Sequence, residues 1–164
     1  MSKTEQSLKD AFAGESQANR KYLAFAKKAE EEGYLQAAKL FRAAAAAETI
    51  HAHNHLKGLN GVKSTKENLM TAISGESYEF QKMYPQMIND AKSEGEDYAL
   101  RSFTMANEVE KIHAALYQKV LNSLSKGPAP DYYVCSVCGY TAEGEAPDTC
   151  PVCKARKQAF KKAE

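Results

Sequence analysis

The stretch Arg42 to His55 reads RAAAAAETIHAHNH, five alanines carrying one glutamate and three histidines, and Glu110-Lys-Ile-His113 repeats its Glu-x-x-His core further along the chain. Alanine is the best helix former, and residues three or four apart on a helix are neighbours on one face. Glu48 and His51 therefore reach a common point, as do Glu110 and His113. Relative to Glu48, His51 is turned by about 60° and raised by about 4.5 Å, whereas His53 falls on the far side of the helix. His55 returns to the first face two turns away. The spacing selects His51 as the partner of Glu48, expects His53 in solvent, and leaves His55 a packing or hydrogen-bonding role. The alanines let neighbouring helices approach closely enough for short side chains to meet.

The repetition extends beyond this motif. Gly14-Glu15-Ser16 recurs as Gly75-Glu76-Ser77, Glu32-Gly33 as Glu94-Gly95, and Glu48-Thr-Ile-His51 as Glu110-Lys-Ile-His113, at offsets of 61, 62 and 62 residues. Three dissimilar motifs holding one offset to within a residue mark residues 8–58 and 69–121 as two copies of one helical hairpin. Residues 4–124 are rich in Ala, Glu, Lys, Leu and Met, with breaks at Gly33, Gly58 to Gly61, Gly95 and Gly127 to Pro130. Four helices of roughly 20 to 28 residues follow, forming a bundle with an internal twofold relation. Ser64 and Glu67 fit a capping box at the start of the third helix, and Pro85 should kink it. The connection from Gly58 to Ser64 reaches only about 25 Å when extended, less than the roughly 35 Å length of a 24-residue helix. Either the helices overlap in part, or hairpins are exchanged between chains.

Glu15 shares a helical stripe with Leu8, Phe12, Ala18, Asn19 and Tyr22, and Glu76 is flanked by Ile73, Phe80 and Met83, so both carboxylates face apolar, core-directed sides. Glu76 and Glu79 also share a face. Glu15, Glu48, Glu76, Glu79 and Glu110, with His51 and His113, offer many acceptors and few donors, and such a set needs cations. Oxygen-rich ligands with two imidazoles suit iron or manganese. Five carboxylates with two ferrous ions carry one net negative charge, and so do two ferric ions with an oxo bridge, so redox cycling leaves the buried charge unchanged. Gly14 and Gly75 interrupt helices just before Glu15 and Glu76. Close backbone approach would explain both, and a surface glycine either one alone.

All four cysteines lie near the C-terminus as Cys135-x-x-Cys138 and Cys150-x-x-Cys153. Paired knuckles at this spacing hold one tetrahedral metal through four thiolates, as iron or zinc. Some 35 residues make too little core to fold unaided, so the metal should supply much of this unit's stability. The sequence therefore reads as 1–126 helical bundle, 127–131 linker and 132–164 knuckle unit. The chain is 164 residues long, 43% hydrophobic and 26% charged, with a formal net charge of +1. No basic patch announces nucleic acid or an anionic membrane, and no apolar run of spanning length occurs. The start MSKTEQSLKD lacks an apolar signal core, and a cytoplasmic location is expected.

A Glu from each of two helices and Glu-x-x-His from each of the other two resembles the ferritin-like dimetal carboxylate proteins. Cys138-Gly-Tyr140 and Cys150-Pro-Val-Cys153 look like rubredoxin. Together they resemble the rubrerythrin family over nearly the whole chain. The resemblance implies a mainly α fold: a ferritin-like four-helix bundle with an internal two-hairpin repeat, followed by a small rubredoxin-like domain. It implies a non-haem di-iron peroxidase protecting against oxidative stress, in which hydrogen peroxide is reduced to water with electrons from NAD(P)H through separate reductases and the rubredoxin-like iron. On the same basis Glu15, Glu48, His51, Glu76, Glu79, Glu110 and His113 are the di-iron ligands, and Cys135, Cys138, Cys150 and Cys153 hold the single iron. Glu79 matches the family's extra carboxylate, which one iron exchanges for the histidine matched by His51. Tyr22 and Tyr84 match tyrosines that hydrogen-bond the ligands, although both also fit as plain core aromatics. The family is commonly homodimeric, with one chain's rubredoxin-like unit near the other chain's di-iron site, and includes hairpin-swapped members. The competing readings are a ferroxidase or iron-handling protein, against which the thiolate unit argues, and an interaction module with a zinc ribbon.

Overall fold

A computed structural model describes residues 2–163. The chain forms two compact units, Met1–Lys63 and Ser64–Glu164. The first is a single hairpin of α1 (Lys3–Glu31) and α2 (Leu35–Gly58). Ser2 starts α1 by accepting the Glu5 backbone N–H at 3.1 Å, which satisfies one of the donors a helix start leaves open. Gly33, at φ +84°, turns the chain back into α2. The helices run antiparallel: Arg42 pairs with Glu30 near the turn, Asn19 donates to the Ala45 carbonyl at 2.7 Å in the middle, and Gly58 lies against Leu8 at the far end. Ala26, Ala29, Ala38, Ala45 and Ala52 are buried along the seam, which is the close approach that the alanine run predicts.

The second unit begins with α3 (Thr65–Tyr78), closed at its start by the expected capping box of Ser64 and Glu67. Five residues of π-helix, Glu79–Met83, then lead into α4 (Tyr84–Glu94), and Gly95 turns the chain into α5 (Asp97–Asn122). The irregularity expected at Pro85 thus takes the form of a π turn, in which the Tyr84 N–H reaches the Glu79 carbonyl five residues back. Pro85 sits in the first turn of α4, where its missing N–H costs little. A π turn accommodates one residue more than the α-helix it interrupts. That extra residue accounts for the repeat offset rising from 61 at Glu15/Glu76, upstream of the turn, to 62 at Glu32/Glu94 beyond it. It also makes the third helical run longer than its counterpart predicts.

The rest of this unit is a three-stranded antiparallel sheet with β1 (Tyr132–Cys135) between β2 (Thr141–Glu143) and β3 (Phe160–Lys162). Tyr133 pairs with Ala142 on one side and Lys162 on the other. Its core consists of Cys135, Cys150, Ala142 and Ala146, with Tyr140 and Phe160 edge-on at 6.1 Å. Apolar burial is slight, as a metal-dependent unit requires. The sheet rests on α5 of its own chain through His113–Thr141 and Lys119–Glu143 contacts. The mainly α fold with four long helical runs and a small C-terminal β unit is as the sequence indicates. No helix among the described residues is long and apolar enough to cross a membrane.

Three glycines separate the roles this residue plays here. A Cβ on Gly14 or Gly75 would meet nothing within 4 Å, so neither unit by itself makes the close approach expected at these positions. Gly95 is also uncrowded but adopts φ +73°. Chemical denaturation of the metal-free protein should show Gly14→Ala stabilising by about 1 kcal/mol. Gly95→Ala should destabilise by about 1–2 kcal/mol through its left-handed backbone.

Candidate metal centres

Each helical unit brings three ligand side chains together. Glu15 from α1 meets Glu48 and His51 from α2, with one ligand atom of each within 4.8 Å of the others. In the second unit Glu76 from α3 meets Glu110 and His113 from α5 within the same distance. In both sets the histidine turns the same nitrogen inward: His51 Nδ1 lies 2.8 Å from Glu48 Oε2, and His113 Nδ1 lies 2.7 Å from Glu110 Oε2. The Glu-x-x-His spacing therefore places its side chains as helix geometry requires. The packed interior expected around them is not formed within either unit. All these carboxylates are half-buried, and the side chain of His51 is 53% exposed against 26% for His113. A two-helix layer has no interior in which to enclose them.

The electrostatics of the second set call for a cation. Burial, a hydrogen bond to Glu110 and the Glu110 charge push Glu76 up to about 7, with Glu79 adding to the rise and His113 opposing it. Glu79, on the π turn, lies outside the close triad but within its field: burial raises it, Glu110 raises it further, and His113 lowers it. Two carboxyl groups at hydrogen-bonding distance must share a proton or bind a positive ion. The imidazole makes the same demand. The Thr141 hydroxyl lies 2.9 Å from His113 Nε2 and 3.3 Å from the Gly139 carbonyl, and so holds the ring with its other nitrogen toward Glu110. His113 Nδ1 and Glu110 Oε2 stand 2.7 Å apart, so a proton or a metal ion has to lie between them. Carboxylates with imidazole nitrogen are the donors that iron takes. The residues present fit a di-iron site.

The cysteines fit a single ion equally well. A tetrahedron of metal–sulfur bonds near 2.3 Å has edges of about 3.8 Å. Cys135 and Cys153 stand 3.7 Å apart at sulfur, and Cys138 and Cys150 3.6 Å. Burial alone would raise the Cys135 thiol, but N–H groups of Val137 and Cys138 and the neighbouring Cys153 and Cys138 bring it below the usual thiol range. Burial raises Cys138 and Cys153. The Cys135 thiolate forms readily, whereas Cys138 and Cys153 need the metal's charge.

The surrounding residues divide the expectations. Tyr84 is raised by burial and then by the charges of Glu79, Glu110 and Glu76, which puts its hydroxyl in the carboxylate field. Tyr22 packs with Phe25 and Phe41, at centroid distances of 6.3 and 6.1 Å. His53 is exposed and His55 half-buried, in line with the sequence reading. Tyr117, not singled out from the sequence, is raised by burial and by Glu76 and Glu110. It lies seven residues beyond Glu110, two turns along the same face, and the repeat offset of 62 makes it the counterpart of His55. Thr141 escaped notice because its contact with His113 joins two structural elements.

Known proteins share this architecture end to end. The family description "Rubrerythrin" matches residues 6–121, and "Rubrerythrin, rubredoxin-like domain" matches residues 133–161. Nigerythrin of Nitratidesulfovibrio vulgaris is 37% identical over 171 residues, covering 96% of this chain and 85% of that protein. Rubrerythrin-2 of Clostridium acetobutylicum is 35% identical, covering 93% of this chain and 92% of the relative. Among solved structures, nigerythrin in a state described as fully reduced and all ferrous aligns with a TM-score of 0.60 at 36% identity, over 99% of this chain and 88% of the other.

Glu76 supplies a test through its proton. Its folded value is raised, so its stabilising contribution to the metal-free protein is complete below the ordinary value of 4.5 and is lost as pH rises through about 7. Metal ions must displace that proton. Calorimetric titration of metal into the apoprotein below pH 7 should show proton release into the buffer, and Glu76→Gln should remove part of it. An unchanged proton count would reject the assignment.

Proposed function

Because the chain belongs to the rubrerythrin family, whose members are oxidoreductases with a di-iron site and a rubredoxin-like electron-transfer domain, we propose that it reduces hydrogen peroxide to water. The supporting observation is the presence in one chain of carboxylate–histidine clusters and a four-cysteine cluster, with Thr141 of the cysteine-bearing unit hydrogen-bonded to His113. Storage of iron needs no such electron inlet. Glu15, Glu48, His51, Glu76, Glu79, Glu110 and His113 are the proposed di-iron ligands, and Cys135, Cys138, Cys150 and Cys153 the proposed ligands of the single iron. The working division is residues 1–126 for the di-iron domain, 127–131 for the linker and 132–164 for the rubredoxin-like domain.

When bound, two ferrous ions supply the two electrons that cleave the peroxide O–O bond. The side chains manage protons and orientation. Reduction consumes two protons per peroxide, and Glu79, whose carboxyl is raised by burial and by the Glu110 charge, is the group placed to carry one when it leaves the metal. Glu79 stands on a π turn, a local unwinding often found at functional sites and suited to a ligand that changes partners with His51. Tyr84 and Tyr117 offer hydroxyl donors to the carboxylates, and Thr141 fixes the imidazole of His113.

The remaining elements of the proposal are a reductase or rubredoxin-type donor fed by NAD(P)H, a cytoplasmic location and a homodimer. Leu23, Phe25, Leu40 and Ile50 on the first hairpin are more than 40% exposed, an apolar surface that a second copy would cover, and the short 58–64 connection suits hairpin exchange. Iron-loaded protein should bleach on reduction and regain the ferric tetrathiolate absorption when peroxide is added. Restoration by dioxygen with net iron uptake, and no response to peroxide, would favour a ferroxidase. Glu79→Ala should slow peroxide turnover roughly 10²- to 10⁴-fold at nearly unchanged iron content, as loss of a proton-handling group does. Unchanged turnover would remove Glu79 from the reaction.

A further inference from the structure

We propose that the first hairpin carries a binding site for a phosphate-class oxyanion between Arg20 of α1 and His53 of α2, on the flank turned away from the metal ligands. The proposal goes beyond the peroxide-reducing activity and does not depend on it.

Helical phase brings the two residues together. Ser16 and Arg20 stand about 100° and 140° round α1 from Glu15, and Thr49 and His53 stand about 100° and 140° round α2 from Glu48. The same steps beyond a ligand glutamate on each helix thus put both pairs on one flank of the alanine seam. The structure forms a cleft of about 240 Å³ there, bordered by these four residues and by the half-buried Phe12 and Leu56. Arg20 and His53 are exposed at its edge. Hydrogen bonds fix the wall between them: Asn19 donates to the Ala45 carbonyl at 2.7 Å and to the Thr49 hydroxyl at 2.8 Å. Ser16 donates to the Phe12 carbonyl at 2.7 Å and Thr49 to the Ala45 carbonyl at 3.2 Å. The hydroxyl protons are therefore engaged, and the N–H groups left to meet a ligand are those of Arg20 and His53. His53, which the Glu-x-x-His motif leaves unused, acquires a role.

The chemistry of the cleft selects an oxyanion. Among the described residues that line it there is no carboxylate, so nothing within it neutralises the guanidinium. Arg42, the other arginine of this hairpin, pairs with Glu30, whereas Arg20 has no ion pair among the described residues. A guanidinium presents a planar fork that holds two oxygens at once. An imidazole keeps a ring N–H in either tautomer, and His53 brings it from the opposite helix, where it needs a further oxygen outside the plane of the fork. A tetrahedral anion supplies that oxygen and a carboxylate does not. Phe12 and Leu56 lower the local dielectric, which strengthens the hydrogen bonds and leaves room for an apolar ester group. The internal repeat supplies a comparison. At offsets of 61 and 62, Arg20 and His53 correspond to Gln81 and Ala115, so the hairpin architecture shared by both repeats requires neither residue.

Calorimetric titration of the iron-loaded, full-length protein with inorganic phosphate, at an ionic strength held constant with chloride, tests the proposal. Saturable binding in the millimolar range or tighter is expected. Arg20→Gln should weaken it roughly 10- to 100-fold, the effect of losing hydrogen bonds to a charged group, and His53→Ala should weaken it several-fold. Arg42→Gln, which removes the arginine already paired with Glu30, should leave it unchanged. Phenyl phosphate identifies the source of the anion. Tighter binding than inorganic phosphate, with the same dependence on Arg20, assigns the site to the phosphoryl group of an apolar ester, and equal or weaker binding assigns it to the free ion. Absence of saturable binding would overturn the proposal. So would binding that survives Arg20→Gln, as phosphate held by the iron ions would, or an equal loss in Arg42→Gln.

Discussion

Everything in this chain is arranged around carboxylates held too close together to remain charged without a cation. Glu76 and Glu110 share a hydrogen bond, Glu79 and Tyr84 lie in their field, and an imidazole nitrogen is aimed at one of the same oxygens. In water such a cluster would separate. Here the helices hold it, because Glu110 and His113 are separated by less than one turn of α5 and α3 is pinned against that face. The first hairpin reproduces the arrangement with Glu15, Glu48 and His51 around a seam of alanines. The energy that a metal ion returns on binding is the repulsion it relieves, so the ligand set and the metal stabilise one another.

Much of this was legible in the sequence because it depends on periodicity. A three-residue spacing on a helix fixes a common face whatever else the chain does, so the Glu-x-x-His pairs could be read without coordinates. The cysteine knuckles were equally plain, because four thiolates at that spacing have one geometry. The capping box at Ser64 followed from backbone donors that a helix start leaves unsatisfied. The repeat offset held a further sign: the step from 61 to 62 marks the residue taken up by the π turn at Glu79–Met83.

What the sequence did not reveal depends on contacts between elements. Thr141 is an ordinary strand residue until the knuckle unit is seated on α5, and only then does it become the partner of His113. Tyr117 could have been found by carrying the repeat to its counterpart His55, but its side chain differs and conceals the relation. The glycines before Glu15 and Glu76 suggest close backbone approach, which neither unit makes by itself. Enclosure is of the same kind: ligand directions follow from helical phase, but burial depends on which helices pack together.

The central claim is that the duplicated carboxylate–histidine sets are the cradle of two irons and that the cysteines hold a third. Iron analysis of the protein loaded anaerobically and then oxidised, joined to Mössbauer spectroscopy, tests it most directly. The account predicts three irons per chain: two in an oxygen- and nitrogen-ligated, magnetically coupled ferric pair, and one in a ferric tetrathiolate. Replacing Glu48 and Glu110 together should abolish the pair and leave the tetrathiolate signal intact. One iron or zinc per chain, with no coupled pair, would contradict it.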